Sequence, residues 1–422
     1  MSIASLDNDK YIDRVKASFG DVMARKALFK ALSHIKKGRL VIEENGEVFE
    51  FGVPASNAEV SAHMSIHHPS TYKEIVFGGS IGSAEAYMIG TWSSANLVDV
   101  IRLMALNIDL LNNMDNSRSI FSRISSRFIH FLNANTQKGS RKNISAHYDL
   151  GNDFFELFLD ASMMYSAAIF PHEQASLAEA SINKLDVICK KLRLSETDHL
   201  LEIGAGWGGL ALYAAKKYGC KVTTTTISNQ QYNYVNALIK KQGLEDKITL
   251  LLQDYRDLEN KYDKLVSVEM IEAVGYEYYE TYFNQCSRLL KEHGLMLIQA
   301  ITIPDQRYEQ AKRSVDFIQR YIFPGGCLPS NEIIAQCIAK KTNMTIVSLD
   351  DIGIDYAKTL AQWRCRFNAN LDQVKRLGFD DVFCRMWEFY LCYCEGGFTE
   401  RAISTAQFVF AKPGARSVAA QG

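Results

Sequence analysis

Hydrophobic positions in the second half of the chain switch repeatedly between two periods. Short apolar runs of strand length alternate with longer stretches in which apolar residues recur every three or four positions, the spacing of one helix face. The pattern predicts helix over 176–193, strand over 199–203, helix over 208–218, strand over 221–227, helix over 229–242 and strands over 247–252 and 263–270. Helix over 276–291 and strand over 294–301 follow, then a helical insertion over about 305–345 interrupted by Phe323-Pro324-Gly325-Gly326. A helix from Asp381 to Tyr393 and a strand from Ala406 to Ala411 complete the series. Strands separated by helices need a largely parallel sheet, so the fold class is α/β.

The first part of the chain has another texture. Residues 12–40 read as a basic amphipathic helical lead, with Lys16, Arg25, Lys26, Lys30, Lys36, Lys37 and Arg39 among apolar positions. Such a segment suits an anionic lipid surface and equally a solvated helix face. Strand-like runs at 39–42, 48–51 and 62–66, a glycine-punctuated region from Gly78 to Trp92 and a helix over 97–111 make a smaller α+β domain. Residues 112–143 are rich in Asn, Ser, Arg and Lys around an apolar helical section, Ile120 to Leu132, and their latter part serves as linker. The expected division is 1–135 and 136–422.

Composition narrows the function. The 422 residues are 47% hydrophobic and 23% charged with a formal net charge of −1, which gives no basic excess for nucleic acid. Nine dispersed cysteines, of which only Cys392 and Cys394 lie close together, fit a reducing compartment, and no ligand cluster calls for a metal. The opening residues do not read as a secretory signal, and no run reaches the length of a membrane span.

Between an apolar strand and an Ala-rich helix stands Glu202-Ile203-Gly204-Ala205-Gly206-Trp207-Gly208-Gly209. This placement points to a nucleotide-type cofactor on the turn after the first strand. Gly208 and Gly209 also have a plain reading, a tight helix-to-sheet contact. The second strand, Val222 to Ile227, ends without the acid that a dinucleotide-binding unit sets against its ribose, so a methyltransferase fits the crevice better. Thr226 and Gln231 are candidates for the ribose, against β-propensity and helix solvation as their ordinary reasons. Asp254 can accept from an adenine amino group and Tyr255 can offer a flat face, while Asp257 is as much a cap. Glu269 and Glu272 follow an apolar strand: Glu269 suits the cofactor's positive or polar end, and Glu272 lies nearer the reacting carbon.

Several separated motifs together resemble the cyclopropane fatty acyl phospholipid synthase and mycolic acid methyltransferase family. They are Ala146-His147-Tyr148-Asp149-Leu150-Gly151-Asn152-Asp153-Phe154-Phe155, Met164-Tyr165-Ser166, the 202–209 turn, Ile227 to Gln231, and Tyr321 to Ser330. Gly79-Ser80-Ile81-Gly82 with Glu85, Tyr87 and Trp92 is similar to the family's front part. The resemblance implies a Rossmann-like class I S-adenosylmethionine-dependent methyltransferase domain, with S-adenosylmethionine as donor and an unsaturated phospholipid acyl chain as acceptor. By motif position Tyr165, Ser166, Gly204, Thr226, Ile227, Gln231 and Tyr255 line the donor site, beside Glu202, Gly206, Asp254 and Glu269.

The resemblance further implies bicarbonate as proton acceptor, cradled by a cysteine, a glutamate, a histidine and a tyrosine. Glu272 and Tyr356 match the acid and the tyrosine, but Ala167 replaces the cysteine, Ala273 follows Glu272 where histidine is common, and Gln299 replaces the later histidine. The expected catalytic set is therefore Glu272, Gln299 and Tyr356, with bicarbonate or Glu272 itself as base. The implied product is a cyclopropane; C-methylation without ring closure and a catalytically impaired lipid-binding or regulatory role remain alternatives. An acyl channel would draw on Phe154, Phe155, Phe158, Phe170, Tyr321, Phe323 and the 383–393 segment, many of them ordinary core. Transient association with the inner face of the membrane from the cytoplasm is expected, and a homodimer is compatible with this reading.

Overall fold

The computed structural model describes residues 17–108 and 150–416. The expected Ile120–Leu132 helix, the linker and Ala146 to Asp149 lie outside them. Contacts divide the chain into two units, residues 1–119 with Asp381–Phe389, and residues 120–380 with 390–422. The expected boundary at 135 lies outside the described residues.

In that smaller unit Ser18 accepts from the Asp21 N–H while the Asp21 carboxylate accepts from the Ser18 N–H at 2.7 Å. This reciprocal cap starts helix α1, Phe19–Leu32, which buries Ala24, Leu28 and Leu32. Strands β1 (Arg39–Glu44), β2 (Glu47–Gly52), β3 (Ser61–Ile66) and β4 (Trp92–Ser93) form a sheet in the order β2-β1-β3-β4. The region expected to be glycine-punctuated is mostly helix α2, Thr71–Met88, kinked where Gly79 takes φ 56°. Helix α3, Leu97–Leu106, is shorter than expected. It stops where the Asn107 amide bonds to backbone groups of Lys36, Lys37 and Leu103.

The larger unit follows the alternating pattern. After α4 (Asn152–Glu156) and α5 (Leu177–Lys191) come β5 (His199–Ile203), α6 (Gly209–Tyr218), β6 (Lys221–Thr226), α7 (Asn229–Lys241), β7 (Ile248–Leu252), β8 (Tyr262–Val268), α8 (Tyr279–Leu289) and β9 (Leu290–Thr302). The expected insertion contains α9 (Asp305–Ala311), a π-helical turn over Ile318–Ile322 and α10 (Asn331–Lys341). Its last residues belong to strand β10 (Thr345–Asp351), which precedes α11 (Gly353–Ala369), α12 (Leu371–Arg376), α13 (Asp381–Thr399) and β11 (Ser404–Ala411). β10 escapes the sequence pattern because it is an edge strand whose Val347 and Leu349 remain exposed.

These strands make a seven-stranded sheet in the order β10-β11-β9-β8-β5-β6-β7. β7, β6, β5, β8 and β9 pair in parallel; β11 runs antiparallel to β9, and β10 antiparallel to β11. Alternate residues face opposite sides. Leu200, Val266, Leu297 and Val409 pack with residues of α5, α6 and α7, whereas Leu201, Leu265, Met296, Ile298 and Phe408 pack with residues of α8 and α10. Each fully buried aliphatic side chain contributes roughly 2 kcal/mol through removal from water. Strand order reverses between β5 and β8, and such a switch point opens a ligand crevice at the carboxyl ends of the strands.

Candidate active site

The turn after β5 is shaped by backbone. Gly204 and Gly206 adopt φ 96° and 50°, and a Cβ on Gly206 would meet nothing within 4 Å, so the chain leaves open space where a ligand can approach. Gly204 and Ala205 donate to the Thr225 carbonyl at 3.1 and 2.7 Å, tying the turn to β6. At the end of β6 the Thr226 hydroxyl donates to Gln231 Oε1 at 2.8 Å, so these two candidates form one buried polar pair beside Ile227. Glu202 lies deeper: its carboxyl accepts from the Thr224 hydroxyl, and burial pushes it up to about 8. Asp254 caps the turn Tyr255–Asp257 and clamps the Arg256 guanidinium at 2.7 and 2.9 Å. Tyr255 is largely buried, with its ring 5.4 Å from that of Tyr282. The turn, its open face and the Thr226–Gln231 pair fit a nucleoside-bearing donor.

A second group forms across the neighbouring strands. Register places Val268 of β8 opposite Gln299 of β9, and Gln299 opposite Gln407 of β11. Just past β8 the Glu269 N–H donates to the Gln299 carbonyl, at 2.7 Å, and the Glu269 carboxylate comes to lie against the Gln299 side chain. Glu269 Oε1 accepts from Gln299 Nε2 at 2.8 Å and from the Ala167 N–H at 2.9 Å, and the Tyr356 hydroxyl interacts with the same carboxylate. Gln407 donates to Gln299 Oε1 at 2.9 Å, which fixes the Gln299 amide with its nitrogen toward Glu269. Lys191 in turn donates to Gln407 Oε1. Glu269 holds this position with φ 47°, a left-handed conformation costly for a residue with a Cβ.

The two carboxyls sit in different surroundings. Burial raises Glu269, but Gln299, the Ala167 N–H, Lys184 and Tyr356 all oppose that shift. Glu272 is pushed up to about 8 by burial and then by the charge of Glu269. Its Oε1 accepts from the Ile301 N–H at 2.5 Å, while its Oε2 is buried without a partner among the described residues. Burial thus leaves Glu269 above its ordinary value despite donors that favour its charged form, and Glu272 keeps its proton near neutral pH. The expected gathering of Gln299 and Tyr356 about Glu272 is instead a gathering about Glu269. The φ of Glu269 and the adjacent strand register direct it there.

A family model described as mycolic acid cyclopropane synthetase matches residues 135–408. The chain belongs to the mycolic acid cyclopropane synthetase family. It is 35% identical to a tuberculostearic acid methyltransferase of Mycobacterium tuberculosis, over 97% of each chain. A cyclopropane-fatty-acyl-phospholipid synthase of Escherichia coli is 36% identical over 85% of this chain and 90% of that protein. A solved mycolic acid cyclopropane synthase, bound to SAH and CTAB, superposes with a TM-score of 0.61 at 33% identity, over 64% of this chain and 98% of that one. The protein is accordingly an S-adenosylmethionine-dependent enzyme that methylates or cyclopropanates an unsaturated fatty-acyl chain.

Within this family member, aromatic rings surround Tyr165. Its ring centroid lies 5.3 Å from Phe155, 5.2 Å from Trp363 and 6.4 Å from Phe323, and its hydroxyl is 2.8 Å from that of Tyr390. Phe154, Phe155 and Phe158 are fully buried core, whereas Phe170, Tyr321 and Phe323 are partly exposed. Tyr356 packs against Phe398 at 4.5 Å.

Two participants were not anticipated, Lys184 and Gln407. Lys184 is wholly buried, donates to the Ser166 hydroxyl at 2.8 Å, and is lowered to about 8 by burial despite Glu269, Asp160 and Glu202. Its signal is in the sequence: it shares the buried face of α5 with Ala180, Ser181, Leu185 and Ile188. Gln407 stands between Ala406 and the apolar run Phe408 to Ala411, which is the corresponding signal there.

Proposed function

We propose that the enzyme transfers the methyl group of S-adenosylmethionine to the double bond of an unsaturated acyl chain carried by a phospholipid, and that loss of a proton then closes a cyclopropane. The carrying observation is the buried acidic group at the carboxyl edge of β8 and β9, next to the glycine turn in strand order. The donor supplies an electrophilic methyl group on a sulfonium. Gly204, Gly206, Thr226, Ile227 and Gln231 hold it, with Tyr165, Ser166 and Tyr255 closing the site and Glu202 and Asp254 supporting it from below. On transfer the methyl–sulfur bond would break with its electron pair left on sulfur, while the π pair of the alkene would form the new C–C bond and leave the chain a cation. Glu269, Glu272, Gln299 and Tyr356 receive that charge in a dry setting, where fixed dipoles act more strongly than in water. Aromatic faces around Tyr165 add stabilisation.

A second reading, a methyl-branched alkene, is favoured by Ala167 and Gln299 standing where the family resemblance implies cysteine and histidine, and by the full-length similarity to a protein named as a methyltransferase. Incubation with a labelled methyl donor and monounsaturated phospholipid vesicles separates the two. Both products gain one CH₂, so double-bond cleavage before mass analysis is required: a product resistant to cleavage is the ring, and a cleavable methylated chain is the alkene. Labelled products absent from every acyl chain would refute both readings.

The substrate lies in a bilayer, and no helix among the described residues is long and apolar enough to cross one. Reversible docking is supported by Phe19, Met23 and Phe77, which are 83%, 50% and 71% exposed on α1 and α2, near Lys26 and Lys30. Apolar side chains flanked by basic ones suit an anionic leaflet, here the inner one. A sedimentation assay with anionic and neutral vesicles tests this docking, with preference for the anionic ones expected.

A further inference from the structure

Resting on the methyl-transfer reading, we propose that Glu269 is the built-in proton acceptor of this enzyme and that it occupies the anion position that family resemblance assigns to bicarbonate. By the family resemblance a small planar anion at this site would be held by positions 167, 272, 299 and 356. The Ala167 N–H and Gln299 Nε2 already bond to Glu269 Oε1, at 2.9 and 2.8 Å, and the Tyr356 hydroxyl interacts with the same carboxylate. Bicarbonate therefore finds the Ala167 N–H and Gln299 Nε2 already taken by Glu269, and a second anion would have to share the charge of Lys184 with the first.

The surroundings are arranged for this carboxylate. Glu269 occupies a φ of 47° that glycine would adopt without cost, so the side chain is retained against backbone strain. Such strain at a site lined by directed hydrogen bonds points to a use for the side chain itself. Gln299 is locked in orientation by Gln407, and Gln407 by Lys191. Lys184, the buried cation of this region, supports the negative charge. Glu272 keeps its proton, which leaves Glu269 as the carboxylate able to take one. Glu269 and Glu272 are both half-buried as residues, whereas Lys184 and Gln299 are wholly buried.

The step balances without a co-reactant. Methylation leaves the acyl chain one electron pair short at carbon. A C–H bond then breaks; its electron pair forms the new C–C bond of the ring, or a double bond in the alkene product, and the proton goes to a Glu269 carboxylate oxygen. Deprotonation to solvent restores the enzyme.

Two measurements on the full-length protein test this. In buffer freed of carbon dioxide, with monounsaturated phosphatidylglycerol vesicles and labelled S-adenosylmethionine, wild-type turnover should stay within about twofold of that with added bicarbonate. Glu269→Gln should lose about 100-fold or more of kcat, the usual scale of general-base catalysis, while donor affinity measured by calorimetry changes little. Glu269→Gly, which relieves the strained φ, opens a carboxylate-sized space, and added bicarbonate should restore part of its turnover. Independently of activity, carbon-13 bicarbonate should show no saturable binding to wild type by NMR and clear binding to Glu269→Gly. Wild-type turnover that collapses without bicarbonate, saturable bicarbonate binding to wild type, or full activity of Glu269→Gln would each overturn the proposal. Transfer to no acyl chain by wild type would instead refute the function on which it rests, and the NMR comparison would still decide which anion fills the site.

Discussion

The glycine turn after β5 and the acidic group beyond β8 follow neighbouring strands and are built by opposite means. The turn is local: a few consecutive residues, φ angles open to glycine and backbone amides tied to β6. The acidic group is assembled from distant chain segments, with Ala167, Lys184, Glu269, Gln299, Tyr356 and Gln407 converging through helix packing and strand register. A binding platform can be made of backbone, since the donor needs only shape and amides. Proton handling needs one carboxylate charged and its neighbour neutral, and only tertiary surroundings separate two residues of the same type in this way.

The comparison can be broken most severely at Lys184. Lys184→Met removes the buried cation beside Glu269 and Asp160, and should cost about 3 kcal/mol of stability by leaving buried acids uncompensated, read as a lowered midpoint in urea. Equal stability of the variant would mean that those acids are neutral in the wild type. Gly206→Val attacks the other half alone. A β-branched residue at φ 50° in the open face should weaken donor binding about tenfold in calorimetry, with Glu269 and its partners unaffected.

A finer probe is Gln407→Leu, which frees the Gln299 amide to turn. Turnover should fall about fivefold while donor affinity holds, since a single hydrogen bond of this kind is worth about 1 kcal/mol; rescue by Gln407→Asn is not expected, because the shorter side chain does not reach. The smallest effect concerns Glu272. Its folded-state value of about 8 lies above the ordinary 4.5, so its contribution to stability is complete below about pH 4.5 and is lost as pH rises through about 8. Glu272→Gln keeps an acceptor for the Ile301 N–H and cannot ionise. Its melting temperature, measured from acid to mildly alkaline pH, should fall less than that of wild type, by about 2 °C or more at the alkaline end. Parallel curves would show that Glu272 is ionised throughout.

The alternation of strand and helix, the glycine turn and the break at Phe323-Pro324-Gly325-Gly326 were legible because each depends on neighbours in the chain. Tyr356 was legible only through family resemblance, and its partner was not: the resemblance joined it to Glu272, whereas the fold brings it to Glu269. β10 was hidden because an edge strand need not bury its apolar residues, and α11 lay in a stretch given no element although Tyr356, Leu360, Trp363 and Phe367 share its buried side.

Local sequence thus determined the α/β class, the glycine turn and the family, since period, turn chemistry and motif order are properties of contiguous residues. What surrounds each of the two carboxyls was decided by tertiary structure alone. That outcome depends on the strand register that sets Gln299 and Gln407 in line, on a left-handed φ at Glu269, and on the depth at which Lys184 and Glu272 are removed from water.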